Sequence, residues 1–81
     1  MDIQLNPGSR VVGLKQSLRA IRDGRAAEVY LAEDAQQSIR TPVLQLCDRM
    51  GLTPTQISTM ARLGKACGIS VGAAVAVTLK P

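Results

Sequence analysis

Few side chains in this 81-residue sequence could do chemistry, and the basic ones lead. There is no histidine, and the six acids are scattered, with Glu33-Asp34 the only adjacent pair. A solvated strand end that caps a following helix accounts for that pair better than acid–base catalysis, which needs two carboxyls in contrasting environments. Cys47 and Cys67 are 20 residues apart, a spacing that suits neither a redox pair nor a zinc knuckle. They read as small buried hydrophobes in a reducing cytosol. Gly64-Lys65 is not a phosphate loop, because that motif needs a glycine where Thr59 stands and a hydroxyl residue where Ala66 stands. The expectation is a non-enzymatic protein with no metal and no cofactor. What remains is positive charge: five of the ten Lys and Arg residues lie within residues 10–25, against one acid, Asp23.

The elements that must position this charge follow from the same stretch, RVVGLKQSLRAIRDGR. Val11-Val12 is a short β-branched run that meets Gly13, and a helix pattern begins at once. Leu14, Leu18 and Ile21 recur at i, i+4 and i+7, one apolar stripe of a helix. At the helical period, Lys15, Arg19 and Arg22 fall within about 60° of one another beside that stripe. A strand, a glycine and the start of a basic helix together can hold phosphates, so this is read as an RNA-binding face. A plain solvated helix face would show the same stripe, so charge alone does not choose the partner.

The rest of the chain supplies a scaffold. Residues 1–9 read as a loose arm ending in the Asn6-Pro7-Gly8 turn signal, with no signal peptide visible. Strands are expected at 10–12, 28–32, 56–60 and 73–79. Helices are expected at 14–23, 36–50 and 61–67. The 36–50 segment should split in two, with Thr41 as N-cap and Pro42 in the first turn of the second part, and Asp34 is expected to cap its start. Val43, Leu46, Cys47 and Met50 should then form its apolar face. Gly64, Gly68 and Gly72 read as caps and tight turns. Strands alternating with helices argue for an α/β layered sandwich with right-handed crossovers wherever strands run parallel. No linker divides the chain, so residues 1–81 read as one domain.

Composition narrows the partner. Net charge is +4 and the pI about 9.7, which favours a polyanion. There is no Phe or Trp, and Tyr30 is the only aromatic, so a platform of stacked bases is excluded. RNA would have to be read by shape, backbone and base edges. The longest apolar stretch, residues 71–79, is too short to span a membrane.

Three stretches carry a resemblance: VGLKQSLR at 12–19, LAEDA at 31–35 and LGKACGISVGAA at 63–74. They resemble the kink-turn-binding ribosomal protein family, most closely its small bacterial members. The resemblance covers nearly the whole chain from Arg10 onward, and the third stretch is the most specific. It implies a three-layer α/β/α sandwich with a four-stranded mixed sheet. It also implies binding of a kink-turn, an RNA duplex bent at a bulge beside tandem sheared G·A pairs. The helix after Gly13 would enter the groove at those pairs, with Lys15 and Gln16 toward guanine edges and Arg19 toward phosphates. Ile69, Ser70 and Val71 would form the apolar loop over the unpaired nucleotides, with Lys65 a basic position near it and Asp34 in the RNA-binding set. The archaeal pattern has Asn-Glu where this chain has Lys15-Gln16, which trades acceptor contacts for charge contacts.

The function implied is a structural clamp acting as a cytoplasmic monomer, with no membrane partner and with the ribosome as one place to meet its RNA. The rival is a protein-interaction adaptor on the same fold, its basic helix facing an acidic partner. Clustered positive charge beside Gly13 favours RNA. Arg40, expected on the helix across the sheet, would serve as a control for charge reversal.

Overall fold

The structure, a computed structural model, describes residues 7–81. Most of the expected arm, residues 1–6, lies outside the described residues. Pro7–Ser9 form one 3-10 turn. The elements that follow are β1 (Arg10–Val12), α1 (Leu14–Arg22), β2 (Ala26–Ala32), α2 (Gln37–Arg49), β3 (Thr55–Ile57), α3 (Met60–Ala66) and β4 (Val75–Leu79). The sheet order is β1-β4-β2-β3, with β4 antiparallel to both neighbours and β2 parallel to β3. This is the expected four-stranded mixed sheet.

Small apolar residues put β4 at the sheet's centre. Val75, Ala76 and Val77 are fully buried, and alternate residues face the two helix layers. On one side Val75 and Val77 join Val29 and Leu31 against Ile21, Val43 and Cys47. On the other, Ala76 joins Tyr30 and Ala32 against Leu63 and Cys67. Helices therefore cover both faces, with α1 and α2 on one and α3 on the other.

That arrangement moves Arg40. The β1-α1-β2 and β2-α2-β3 connections step the same way across the sheet, and a fixed crossover hand puts both helices on one face. Arg40 therefore shares the face of α1 instead of lying across the sheet. Its Nη1 also donates to the Ala32 carbonyl at 2.7 Å and to Gln56 Oε1 at 3.2 Å, so it joins α2 to the sheet and is a poor control.

The second helix is also not divided. It runs unbroken from Gln37 to Arg49 with Pro42 inside it. Proline in a helix interior costs about 3 kcal/mol, here the bond to the Ser38 carbonyl and the crowding of that carbonyl by the ring. Full burial of Val43, worth roughly 1.5–3 kcal/mol, offsets much of that, with Cys47 buried one turn on. Thr41 is no N-cap; its hydroxyl accepts from Gln37 Nε2 at 2.9 Å. Met50 caps the C-terminus of α2 and is 43% exposed, outside the apolar face expected for it.

The cysteines occupy opposite sides of the sheet, Cys47 among α1 and α2 and Cys67 under α3, so they cannot bridge to one another. Both are fully buried. Burial raises both thiol pKa values, and at Cys67 the nearby Arg10 charge pulls part of the way back. The thiolate is the reactive form. Each thiol is expected to label slowly with an aromatic disulfide at neutral pH, and both at once after denaturation. Fast native labelling of both would contradict this packing.

Candidate nucleic-acid interface

Strand register gathers several loops at one end of the sheet. Val12 pairs with Ala76, Leu31 with Val75, and Ala32 with Ile57. The residues that leave β1, β2 and β3, and those that enter β4, therefore lie together. They are Gly13, Glu33-Asp34, Ser58-Thr59 and Ala73-Ala74.

Gly13 makes the turn from β1 into α1. Its N–H donates to the Val75 carbonyl at 3.0 Å, and its own carbonyl accepts from Ser17 N at 3.0 Å. Its φ of 102° lies where L side chains are disfavoured, although an added Cβ would meet no atom within 4 Å. The need for glycine here is conformational. Among the described residues no side chain caps α1, and no acid stands in its first turn, so its N-terminal N–H groups and partial positive charge stay open.

Lys15, Gln16, Arg19 and Arg22 are exposed along this helix. The sequence cluster of five cations is reduced by two in the fold. Arg10 turns to the α3 side and donates to the Cys67 carbonyl. Arg25 pairs with Asp23 at 3.7 Å, both half-exposed, the only ion pair among the described residues; such a pair contributes little. Lys15, Arg19 and Arg22 keep uncompensated charge on one exposed side.

The loop after α3 is shaped by backbone packing. Ile69 N donates to the Gly64 carbonyl at 3.1 Å and Ala73 N to the Met60 carbonyl at 3.0 Å, so residues 69–73 run back along α3. Gly64 is buried, and a Cβ there would overlap the Val71 carbonyl oxygen. It is a point of close backbone approach inside a helix, not the cap or turn expected. Gly68, at φ +76°, does end α3 as expected. Ile69 is half-buried against the α3 core, whereas Ser70 is exposed and Val71 is 68% exposed. Lys65 is exposed on α3.

Asp34 does not cap α2. Its Oδ1 accepts from Met60 N at 2.8 Å and, with Thr59 Oγ1 accepting from Arg62 N at 3.1 Å, holds the first turn of α3. Tyr30 is buried, its hydroxyl donating to Glu28 Oε2 at 3.2 Å. Burial foremost, then the Glu28 charge, raises its pKa. It is unavailable for stacking on a base. The nine candidates thus fall into an α1 group (Gly13, Lys15, Gln16, Arg19), an α3 and loop group (Lys65, Ile69, Ser70, Val71), and Asp34, which joins the β2–α2 loop to α3. Sequence reasoning missed Gly64, whose signal was a glycine at mid-helix.

Among the described residues no group of three or more His, Cys, Asp or Glu is gathered to hold a metal, and no helix is long and apolar enough to cross a membrane. The fold and the open basic face define a small α/β/α module with one helix and one loop presented together. The profile of the Ribosomal protein L7Ae/L30e/S12e/Gadd45 family matches residues 3–81, and the chain belongs to that family. It is 43% identical over 70 residues to an RNA-binding protein of Caldanaerobacter subterraneus subsp. tengcongensis, covering 86% of this chain and 85% of that one. It is 41% identical over 76 residues to RNA-binding protein YbxF of Geobacillus stearothermophilus, covering 94% and 93%. Among solved structures, the Giardia lamblia 15.5kD RNA binding protein matches with a TM-score of 0.84 at 28% identity. That match covers 91% of this chain, which spans 62% of the Giardia chain.

Proposed function

We propose that this chain is a non-enzymatic RNA-binding protein that recognises kink-turn RNA and stabilises its bent form. The observation that carries the reading is the uncompensated charge of Lys15, Arg19 and Arg22 on a helix whose open N-terminus lies at the same end of the sheet as the start of β4. The loop of residues 69–71, with Val71 exposed and Ile69 half-buried, leads into that strand. Relatives named as RNA-binding proteins support it. Lys15 and Gln16 donate to guanine N7 and O6 where sheared pairs widen the groove, and Arg19 takes phosphates. Ile69, Ser70 and Val71 cover unpaired nucleotides, Lys65 adds charge beside them, and Asp34 contributes through the α3 turn that it holds. Free RNA samples bent and extended forms, and the protein selects the bent one. It acts as a cytoplasmic monomer, and ribosomal RNA is one source of the target.

The test is a salt series of binding titrations on Arg19→Glu. Each phosphate contact contributes a log–log salt slope of about −0.7 to −0.9. The variant is expected to bind at least about tenfold more weakly, with a slope flatter by that amount. Arg49→Glu, the same charge change at the far end of α2, is expected to do much less. An Arg19→Glu protein that folds and keeps full affinity and slope would remove α1 from the site.

A further inference from the structure

Arg10 opens β1 and looks in the sequence like the first cation of the basic face. In the fold its Nη2 donates to the Cys67 carbonyl at 2.6 Å, across 57 residues of chain, and its Nε is buried with no partner among the described residues. Cys67 is the C-cap of α3, so its carbonyl is one of the acceptors that a helix end leaves open. A short bond from a guanidinium to such an acceptor is of the strong, charge-assisted kind. Its place in the chain gives it a second meaning. Three residues after Arg10 comes Gly13, and two residues after Cys67 comes Ile69. One bond thus joins the chain just ahead of both halves of the candidate face. The halves meet again at the head of β4, where Gly13 donates to Val75.

We infer that Arg10 is a positioning residue for RNA binding: it fixes the α3–β4 loop relative to α1 and does not touch the RNA. An RNA that contacts helix and loop together binds only molecules in which both are in place, so affinity falls with the fraction that is competent. The consequence for RNA rests on the function proposed above. The positioning itself can be measured without RNA.

The chain carries its own reporters. Cys67 lies at the bond, and Cys47 lies on the opposite face as an internal reference. Loss of the Arg10 charge alone lets the Cys67 pKa rise and slows that thiol, so labelling by iodoacetamide, resolved by mass spectrometry, is compared per thiolate from its pH profile. In full-length Arg10→Gln without RNA it is expected to speed up at Cys67 by about tenfold, the scale of one charge-assisted hydrogen bond, with Cys47 unchanged. Amide exchange at Ile69 and Ala73 should accelerate in parallel. Arg10→Lys keeps the charge and a donor and is expected to fall between; it gives the same reading if Arg10→Gln does not fold. An unchanged Cys67 rate per thiolate, with unchanged amide exchange at Ile69 and Ala73, overturns the inference. So does equal acceleration of both thiols, because Arg10 would then support the fold as a whole. In titrations with a kink-turn RNA, Arg10→Gln is expected to bind roughly twofold more weakly, with an unchanged salt slope. A slope flatter by about 0.7–0.9 would make Arg10 a phosphate contact and overturn the inference as well. A wild-type protein with no kink-turn preference sinks the RNA function, and the thiol rates then decide the role of Arg10 alone.

Discussion

Rebuilding the tandem sheared G·A pairs of a kink-turn as Watson–Crick pairs is expected to weaken binding by at least about a hundredfold, or about 2.7 kcal/mol. The phosphate charge of the RNA is unchanged by that edit, so only geometry is tested. An A-form major groove is too deep and narrow for side chains to read. Lys15 and Gln16 would lose their base edges, and good contacts of that kind are each worth roughly 1–3 kcal/mol. Ile69 and Val71 would lose the unpaired nucleotides that they cover. Weak, salt-sensitive binding through Arg19 and its neighbours would remain. The measurement is a titration of both RNAs at about 0.15 M salt, with end-to-end fluorescence transfer reporting the bend. A preference below about tenfold, or 1.4 kcal/mol, would mean that charge acts alone. Ile69→Asp places a carboxylate against the bulge and should weaken the intact kink-turn far more than the duplex.

Gly64→Ala is expected to destabilise the fold and to disturb the RNA-binding loop together. In most helices this substitution stabilises by about 1 kcal/mol. Here the new Cβ overlaps the Val71 carbonyl oxygen, which is backbone and cannot swing aside. Either the loop leaves α3, losing the Ile69 N–H bond to Gly64, or α3 shifts in its core. Overpacking of this kind costs roughly 1–3 kcal/mol. For a chain of this size, a net loss of about 2 kcal/mol corresponds to a fall in Tm of roughly 8–16 °C. RNA affinity should drop with it, since Ile69, Ser70 and Val71 ride on that loop. Gly24→Ala is the comparison: φ is +73° and no atom lies near the new Cβ, so only backbone strain of roughly 1–2 kcal/mol is paid and RNA binding is spared. A Gly64→Ala protein as stable as wild type would show that the loop does not need this approach.

Local signals in the sequence carried most of the scaffold. Val11-Val12, Gly13 and the Leu14-Leu18-Ile21 stripe placed β1 and α1 because each rests on short-range periodicity and turn chemistry. The small apolar run before Leu79 marked the central strand for the same reason. Long-range choices were the ones missed. Asp34 had two helices to cap, and only the fold brings Met60 N–H to its carboxylate. Pro42 stayed inside α2 because tertiary burial of Val43 and Cys47 outweighed a local rule. Arg10 and Arg25 counted as free charge until the fold gave them Cys67 and Asp23. Gly64 looked like punctuation, because nothing local announces a backbone 7 residues on pressing against it.

The order of strands also sets a timetable. β4 lies between β1 and β2, yet some 60 residues of chain separate Val12 from Val75. During synthesis at about 5–20 residues per second, β1 and β2 emerge with a gap between them and wait several seconds for the strand that fills it. Local pairing cannot begin the sheet at that gap, and closure over such a distance is slow. Both halves of the proposed RNA face hang on the same late strand, Gly13 through its bond to Val75 and the 69–73 loop by direct continuation. A nascent chain that lacks β4 would therefore display the basic helix without the loop beside it. It would hold RNA by charge alone, and selectivity would arrive only when β4 slides into place.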